Sequence, residues 1–450
     1  MRTSPILALE GFLLLLVQIS HAFLVSPTTR VLYRPTGITL HSSNTETGTK
    51  STSTSTSTGT STTTTTTIVR TPKAKPRAGI AQKILDYALT SPLWKLVLVP
   101  QARKNIVKTA EANGIAWEKC YQWFQAQDGP WNNNVSKEAF DKKTKFNTQH
   151  YPAYYKKAFH AYQDGNLSWG AAIEQELASR AIGARNFPAS GVDGEDTFRS
   201  SFEQAILRLG GDVRPGGIIV DLGCGTGIST RRLLKMFPKS DKLLGIDLSP
   251  YFITVGQKLL ELAPRKRIEK EDGAHGDWVT TIEQDERIEL RVGDATDTKL
   301  DDESVDAVNI SLVIHELPID VTIQVCKEVH RILKPGGQLF ISEMDFDSPA
   351  YAAQRENAML FSLLRSTEPY LDDYADGVGD VREFLLQQFQ SVKITAATGR
   401  HYALVATKYG TTRDGAGKTP MGVFEDTRFD ENGSYTVNDT HLKVWESKEG

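Results

Sequence analysis

The stretch VDLGCGTGIS, residues 220–229, decides the fold. It follows a run of aliphatic residues and places three glycines and one acid within ten positions. A strand, a glycine-rich turn and a helix in this order predict the first β-α unit of a parallel sheet. Gly223, Gly225 and Gly227 let the backbone turn sharply and approach a ligand. The helix that begins near Ile228 directs its N-terminus at the same point, which favours a carboxylate or a phosphate.

The region from residue 202 to 408 alternates short aliphatic runs with stretches of helical periodicity. Near-continuous apolar strands between helices predict an α/β fold, a doubly wound Rossmann-like sheet of seven strands with helices on both faces. Near its end, SVKITAAT and HYALVATK flank only GR, which predicts a C-terminal antiparallel hairpin that closes the sheet. LKPGG, residues 333–337, predicts a turn between a helix and a strand.

The chain before this region differs in composition. Residues 78–187 carry apolar side chains at helical spacing, which predicts a helical unit. Residues 51–67 are serine, threonine and one glycine, and such a segment has nothing to bury. The predicted organisation is a signal peptide over 1–22, a transit-peptide-like and disordered segment over 23–77, a helical unit over 78–200, the α/β domain over 201–410 and a polar tail over 411–450.

The first residues have the pattern of targeting segments. Arg2 precedes the apolar run GFLLLLVQI, and SHA then offers the small residues that a signal peptidase reads. Residues 23–83 are basic and rich in hydroxyl side chains, with Glu46 as their only acid. The combination resembles the bipartite plastid presequence of algae with secondary plastids. We therefore expect a plastid protein, with secretion or an uncleaved anchor helix as the alternatives.

Charge and cysteine content exclude several classes of function. The formal net charge is −3, so nothing suggests nucleic acid or an anionic membrane as a partner. The three cysteines are scattered and form neither a disulfide framework nor a zinc site, which favours a reducing compartment. We expect no bound metal, and no membrane span once the signal peptide is removed.

The glycine pattern does not fit a dinucleotide. The G-x-G-x-x-G fingerprint, counted from Gly223 and Gly225, requires a third glycine at 228, where the chain has Ile228. Asp221 lies at the end of the strand itself, where a carboxylate would repel a pyrophosphate. The same carboxylate would attract a sulfonium or an ammonium group. The pattern therefore favours a cofactor with a positive centre.

Two further acids follow the next two strands. Asp247 in LLGIDLSP closes the second strand, where a carboxylate can accept hydrogen bonds from both hydroxyls of a ribose. Asp294 in RVGDAT closes the third strand, where an adenine amino group would need an acceptor. Polar residues at successive strand ends mark a site at this edge of the sheet.

The motifs VDLGCGTG, GIDLSP, GDA, VDAVNISLVIHELP and LKPGGQLFISE, in this order, resemble those of class I S-adenosylmethionine-dependent methyltransferases. The resemblance covers residues 216–408 and implies that S-adenosylmethionine is the cofactor. It implies contacts with the three glycines, with Asp247 at the ribose and with Asp294 at the adenine. It also implies that Asp221 faces the ammonium of the cofactor, directly or through water. The other residues that it implies beside the cofactor are Cys224, Leu248, Ala295 and Ser311.

The resemblance implies that the methyl group is transferred to a small organic molecule, the acceptor. Nucleic-acid amino methyltransferases have a Pro-Pro motif after strand four, where this chain has Ser-Leu-Val-Ile-His. The chain is similar to the branch that includes ubiquinone and menaquinone methyltransferases, yet it lacks that branch's Arg-Asn pair. It also resembles uncharacterised plastid and cyanobacterial methyltransferase-domain proteins, which share a segment of the YPAYYKKAFHAYQDGNLSW type.

Methyl transfer needs a base only when the acceptor must lose a proton. His315 and Glu316, at the carboxyl end of the fourth strand, are the candidate catalytic residues, with Glu343 and Asp345 as further candidates. The aromatic segment 151–169 is either a substrate lid or part of the packing between the helical unit and the sheet. A cofactor-binding protein without turnover and a nicotinamide-dependent oxidoreductase are the alternative functions. The sequence does not indicate an oligomeric state.

Overall fold

The computed structural model describes residues 99–132, 140, 151–160, 162–263, 285–356, 361, 364–365, 367–410 and 422–437. The chain divides into two compact units, Met1–Gly79 and Ile80–Gly450, and all of these residues belong to the second. The predicted signal peptide and transit-like segment therefore lie outside the described residues. Among the helices that are described, none combines the length and the apolarity needed to cross a membrane.

The strands of the described residues form a single sheet. They are β1 (Ile218–Leu222), β2 (Lys242–Asp247), β3 (Ile288–Val292), β4 (Val305–Ser311), β5 (Leu333–Met344), β6 (Ser391–Ala396), β7 (His401–Thr407) and β8 (Val423–Asp426). Their order in space is β3-β2-β1-β4-β5-β7-β6-β8. Neighbours from β3 to β5 are parallel, whereas β7 is antiparallel to both β5 and β6. The doubly wound sheet and its antiparallel hairpin are confirmed, and the sheet has one strand more than predicted.

Helices cover both faces of this sheet. They are α1 (Val99–Ala112), α2 (Trp117–Gln125), α3 (Trp169–Asn186), α4 (Gly194–Arg208), α5 (Ile228–Met236), α6 (Pro250–Leu262), α7 (Ile319–Ile332), α8 (Pro349–Glu356) and α9 (Leu371–Gln388). Short 3-10 turns cover Ala153–Lys156, Pro188–Asp193 and Ile314–Glu316. Helix α4 runs across residue 200, where the sequence places the boundary between the helical unit and the α/β domain.

The alternation of side chains along β1 explains the two cores. Val220 and Leu222 pack on one face of the sheet, in a cluster with residues of α7 and α9. Ile219 points to the opposite face and packs with Phe198 and Phe202 of α4. Since side chains of a strand alternate between faces, a nearly continuous apolar strand requires helices on both sides.

The helical unit and the α/β domain share a third core. Residues of α1, α2 and α3 pack in one cluster with residues of α6. At its centre, the Trp169 ring lies 4.7 Å from the rings of both Phe140 and Tyr251, measured between centroids, and 5.7 Å from that of Trp131. Ser168 caps α3 by accepting a hydrogen bond from the Ala171 amide. The described helices of the unit are therefore fixed on the sheet by aromatic packing.

The predicted turn at residues 333–337 is instead the irregular start of β5. Helix α7 ends at Ile332 and the strand begins at the next residue. The pairing with β4 then jumps, because Val305 faces Leu333 whereas Ala307 faces Gln338. Gly336 has a φ of 77° and absorbs the extra residues in a conformation that favours glycine.

The tail predicted as polar adds strand β8 and a buried arginine. Arg428 donates to Oδ1 of Asp345 at 2.8 Å and forms two bonds to Asp426 at 2.8 and 3.0 Å. Its side chain is only 3% exposed. The Tyr435 hydroxyl donates to the other oxygen of Asp345 at 2.8 Å. Asp345 therefore holds the tail, and both of its oxygens are engaged, which does not favour a role as a catalytic base.

We predict that Arg428→Met destabilises the fold by about 3–5 kcal/mol, because it leaves the buried Asp345 carboxylate, and the partly buried Asp426, without their cation. Chemical unfolding followed by circular dichroism measures the change. Lys242→Met is the matched control, since the Lys242–Glu289 pair is about half exposed on both sides. The control should cost at most about 1 kcal/mol. Equal effects of the two substitutions would contradict the role of Arg428.

Candidate active site

The glycine-rich turn after β1 is held against the end of β2. The Gly223 amide donates to the Ile246 carbonyl at 2.8 Å, and the Gly225 amide donates to Oδ2 of Asp247 at 2.9 Å. Gly223 has a φ of 71°, and a Cβ there would lie 2.6 Å from Val313. The turn therefore requires glycine both for its conformation and for the close approach of the segment after β4.

Helix α3 covers the same turn, a contact that the sequence motifs do not indicate. The Thr226 amide donates to Oε1 of Gln175 at 2.7 Å, and the Thr226 hydroxyl donates to Glu176 at 3.0 Å. Arg231 of α5 binds the same Glu176 oxygen at 2.6 Å. The helical unit thus contributes side chains directly to the glycine turn.

Asp221 is engaged within the protein. Its Oδ2 accepts hydrogen bonds from the hydroxyls of Ser229 and Thr230 at 2.6 and 2.7 Å, and its Oδ1 accepts one from Asn309 Nδ2 at 2.7 Å. Burial raises the pKa of Asp221, and these three donors oppose the rise. The carboxylate ties β1 to the first turn of α5 and to β4. Direct contact with an ammonium group is therefore not the role that this geometry supports.

Asp247 and Asp294 both face the aromatic segment 151–169. Oδ1 of Asp247 accepts a hydrogen bond from the Ser249 amide at 2.8 Å and lies 3.4 Å from the Tyr155 hydroxyl. Burial raises the pKa of Asp247, whereas the amides of Ser249 and Gly225 lower it. Burial and the nearby Asp294 carboxylate raise the pKa of Tyr154 to about 12. Two consecutive tyrosines thus reach the two acids that close β2 and β3.

The remaining residues predicted at the cofactor divide into two groups. Leu248 and Ala295 are half-buried beside Asp247 and Asp294. Cys224, by contrast, is buried in an apolar cluster with Ile253 and Leu290, so only its backbone belongs to the turn.

Ser311, at the end of β4, accepts a hydrogen bond from Arg199 Nη1 at 3.1 Å. It is followed by a strained turn, because Leu312 has a φ of 58°, a conformation that costs a branched side chain about 1–3 kcal/mol. The turn leads into Ile314–Glu316, which buries His315 and leaves Glu316 half-exposed.

His315 forms an ion pair with Glu343 at the end of β5. Its Nδ1 lies 2.7 Å from Oε1 of Glu343, which also accepts the Met344 amide at 2.7 Å. Burial lowers the pKa of His315, but the Glu343 carboxylate outweighs this effect and raises the pKa to about 10. His315 is therefore an imidazolium at neutral pH and has no free site for a proton.

Glu316 has the properties of a base. Burial raises its pKa to about 7, although His160 and His315 act to lower it. Its Oε2 lies 3.5 Å from Nδ2 of Asn166, an amide of the aromatic segment. A carboxylate whose pKa lies near neutrality is suited to accept a proton in a catalytic step.

A second ion pair joins the aromatic segment to the chain before α9. His160 Nε2 lies 3.0 Å from Oε1 of Glu368, and the His160 amide donates to the Thr367 carbonyl at 3.1 Å. The His160 side chain is 48% exposed, and yet its surroundings desolvate it. The pair fixes the aromatic segment against the chain before α9.

Residues 220–341 match the family model described as "Methyltransferase domain". The match begins in β1, includes the glycine turn, both acids and Glu316, and ends in β5. The strand order, with its antiparallel β7, is the arrangement that the sequence motifs imply. Over residues 220–341 the chain is therefore similar to methyltransferase domains.

Individual relatives match the methyltransferase domain over part of their length. A demethylmenaquinone methyltransferase of Lactobacillus johnsonii is 33% identical over 29% of this chain and 45% of its own. An uncharacterized 37.1 kDa protein in transposon TN4556 of Streptomyces fradiae is 31% identical over 30% of this chain and 33% of its own. The chain thus spans less than half the length of these curated relatives.

Solved structures show weaker overlap. A SAM dependent methyltransferase from Aquifex aeolicus covers 47% of this chain and 92% of its own, at 14% identity and a TM-score of 0.32. The DhpI–SAH complex covers 54% of this chain and all of its own, at 18% identity and a TM-score of 0.29. With such low overlap, the fold is assigned from the strand order and not from these structures.

The methyltransferase domain offers a site that fits S-adenosylmethionine. Gly225 has no room for a side chain, since a Cβ there would overlap the Gln175 side chain, which lies against the turn. Asp247 and Asp294 stand at the ends of adjacent strands, as ribose and adenine require. The cofactor supplies an electrophilic methyl group on a sulfonium. Among the described residues, no cluster of three or more His, Cys, Asp or Glu side chains forms a metal site.

The structure brings together residues that the sequence predicts and others that it does not. Gln175, Asn166, Glu368 and Asn309 contact the predicted residues, yet each lies far from them in sequence or outside any motif. His160 and Tyr155 belong to the predicted aromatic lid. Tyr151 and Phe159 of this segment are buried, which supports the packing role, and the substrate lid stays a prediction.

We predict that Asp247→Ala weakens binding of S-adenosylmethionine about tenfold to a hundredfold, because hydrogen bonds to a charged acceptor contribute about 1.5–3 kcal/mol. Titration calorimetry measures the affinity, and circular dichroism checks that the variant is folded. Asp297→Ala is the control, since that side chain is 57% exposed on the following turn. Unchanged affinity in Asp247→Ala would remove the ribose assignment.

Proposed function

We propose that the protein transfers the methyl group of S-adenosylmethionine to a small organic acceptor bound beside Glu316. The observation that carries the proposal is the position of this carboxylate, which is partly exposed in the turn that follows the carboxyl end of β4. The glycine turn and Asp247 lie at the carboxyl ends of the adjacent β1 and of β2. A donor bound there and an acceptor at Glu316 would lie side by side along this edge of the sheet.

The reaction is an in-line displacement at the methyl carbon. The acceptor atom forms a bond to carbon, the carbon–sulfur bond breaks, and its electron pair stays on sulfur as a neutral thioether. Glu316 takes the proton of the acceptor when that atom carries one. Alignment of donor and acceptor supplies about 7–11 kcal/mol of the acceleration in such reactions.

His315 acts as a positioning residue. Its imidazolium is paired with Glu343, so it holds the start of the 3-10 turn against the end of β5. Its positive charge also lowers the pKa of Glu316, which burial would otherwise raise further. The pair thereby keeps part of Glu316 ionised near neutral pH.

We propose only the chemical class of the acceptor, a small and partly apolar molecule. Three tyrosines of the aromatic segment, Tyr151, Tyr154 and Tyr155, stand near the cleft and suit a partly apolar molecule. One of the two curated relatives named above is a demethylmenaquinone methyltransferase, but this chain lacks the Arg-Asn pair after β4. We therefore do not propose a quinone. The plastid location stays a prediction, because residues 1–77 are not described.

A labelling experiment tests the transfer. The purified protein is incubated with S-adenosylmethionine labelled in its methyl group and a small-molecule extract of plastids, and label is sought in products resolved by chromatography. We expect a labelled product that is absent with Asp247→Ala. Cofactor binding by calorimetry without any labelled product would favour a binding protein without turnover. Binding of a nicotinamide cofactor instead would favour an oxidoreductase.

We predict that kcat rises tenfold per pH unit below about pH 7 and levels above it for an acceptor that loses a proton. The reason is that the carboxyl group of Glu316, with a pKa of about 7, accepts a proton only when ionised. Glu316→Gln should abolish this rise and lower kcat about 10²- to 10⁴-fold. Glu289→Gln, an exposed glutamate, is the control. A rise that persists in Glu316→Gln would assign the proton transfer to another group.

A further inference from the structure

Asp247, the carboxylate predicted to hold the ribose of the cofactor, already binds donors of the protein itself. Its Oδ1 accepts the Ser249 amide at 2.8 Å and lies 3.4 Å from the Tyr155 hydroxyl, and its Oδ2 accepts the Gly225 amide at 2.9 Å. A carboxylate offers about four lone-pair positions, two on each oxygen. Three of them are taken, so the two hydroxyls of a ribose cannot both bind while Tyr155 stays in place.

Of these three donors, Tyr155 is the one that a ligand can replace. The two amides belong to the backbone of the glycine turn and of the start of α6, which the fold fixes. The Tyr155 hydroxyl instead reaches Asp247 from the aromatic segment, 92 positions away in the chain. Burial raises the pKa of Tyr155, so the phenol keeps its proton and can donate it in a hydrogen bond. Its hydroxyl therefore lies where a ribose hydroxyl would bind.

A second side chain covers the glycine turn next to Asp247. Oε1 of Gln175, on α3, accepts the Thr226 amide at 2.7 Å, and the same side chain fills the space beside Gly225. The described residues enclose cavities of about 350 and 320 Å³, but neither is lined by Gly225, Asp247 or Asp294. The helical unit therefore places side chains at two points where the cofactor is expected to bind.

The aromatic segment is held in this position by the chain around the start of α9. His160 Nε2 lies 3.0 Å from Oε1 of Glu368, and the His160 amide donates to the Thr367 carbonyl at 3.1 Å. The Tyr370 hydroxyl donates to the Tyr154 carbonyl at 3.2 Å, directly beside Tyr155. None of these three contacts involves the glycine turn or its carboxylate. They therefore hold the segment closed without contacting the cofactor site.

We propose that the aromatic segment is an autoinhibitory strap, which holds Tyr155 in the place of the cofactor's ribose and has to release Asp247 before S-adenosylmethionine binds. The proposal rests on the proposed function, because it takes Asp247 as the ribose partner. A ligand that binds only the open form has its apparent affinity reduced by the fraction of molecules that are open. The contacts of Thr367, Glu368 and Tyr370 set this fraction, so they control cofactor binding from outside the site.

The alternative is that the Tyr155 hydroxyl bonds the bound cofactor while the strap stays closed. The two cases differ in the sign of one effect. If Tyr155 competes with the ribose, removal of its hydroxyl strengthens cofactor binding, because only the closed form loses a hydrogen bond. If the hydroxyl bonds the cofactor, the same change weakens binding.

The experiment compares three tyrosine-to-phenylalanine variants of the full protein with the unchanged protein. Tyr155→Phe removes the competing hydroxyl, and Tyr370→Phe removes one contact that closes the strap. Tyr121→Phe is the matched control, because the Tyr121 hydroxyl accepts a hydrogen bond from Gln125 within α2 and takes no part in these contacts. Titration calorimetry with S-adenosylhomocysteine measures the affinity, stopped-flow fluorescence measures the association rate, and circular dichroism checks the fold.

We expect Tyr155→Phe to bind S-adenosylhomocysteine about threefold to tenfold more tightly, as the loss of one hydrogen bond from the closed form requires. Tyr370→Phe should raise the association rate about threefold, because the strap opens more often. Tyr121→Phe should leave both quantities unchanged.

Unchanged or weaker binding in Tyr155→Phe would overturn the proposal, and so would an association rate of Tyr370→Phe equal to that of the control. If methyl transfer is observed together with either result, the proposed function stands and only the strap is rejected. Absence of S-adenosylhomocysteine binding in the unchanged protein and in all three variants would overturn the strap and the proposed function together.

Discussion

The Asp247 carboxylate is the interaction on which the site depends. Its two oxygens accept amides from the glycine turn after β1 and from the start of α6, so one side chain fixes the backbone of two adjacent β-α units. Ser249 then caps α6, and its hydroxyl donates to the Asn166 carbonyl at 2.6 Å. Because Asn166 belongs to the aromatic segment, the strand end, the helix start and the lid are held in one hydrogen-bonded network.

The surroundings of Glu316 combine three carboxylates with two histidines. Glu316, Glu343 and Glu368 crowd into a desolvated space, and mutual repulsion of their charges is limited by the His315 and His160 side chains. This arrangement explains how two neighbouring residues take different roles. His315 is bound to a carboxylate and stays charged, whereas Glu316 lacks such a close cation and titrates near neutrality. Neighbouring charges therefore give His315 and Glu316 different protonation behaviour, although the two residues are adjacent in the chain.

The sequence predicts the sheet, its hairpin and the residues of the glycine turn, because these depend on near-continuous apolar runs and on glycine spacing. It also places Asp247 and Asp294 at strand ends, since parallel topology brings those ends together. It does not show the partners of Asp221 and Asp345, because an acid at a strand end shows nothing of the donors that reach it from elsewhere. Gln175 and Glu368 carry no motif. Their roles arise from tertiary packing, which brings α3 and the chain before α9 onto the cleft.

Strand β8 and Arg428 have a consequence for the order in which the protein matures. Arg428 reaches Asp345 across 83 positions of the chain, and Tyr435 reaches it across 90. The ribosome synthesises the end of β5, which includes Glu343 and Asp345, well before it synthesises Arg428 and Tyr435. A nascent chain can therefore form strands β1 to β7 while the end of β5 still lacks its contacts with Arg428 and Tyr435. Competence for chemistry would then be acquired last, when the C-terminal segment docks.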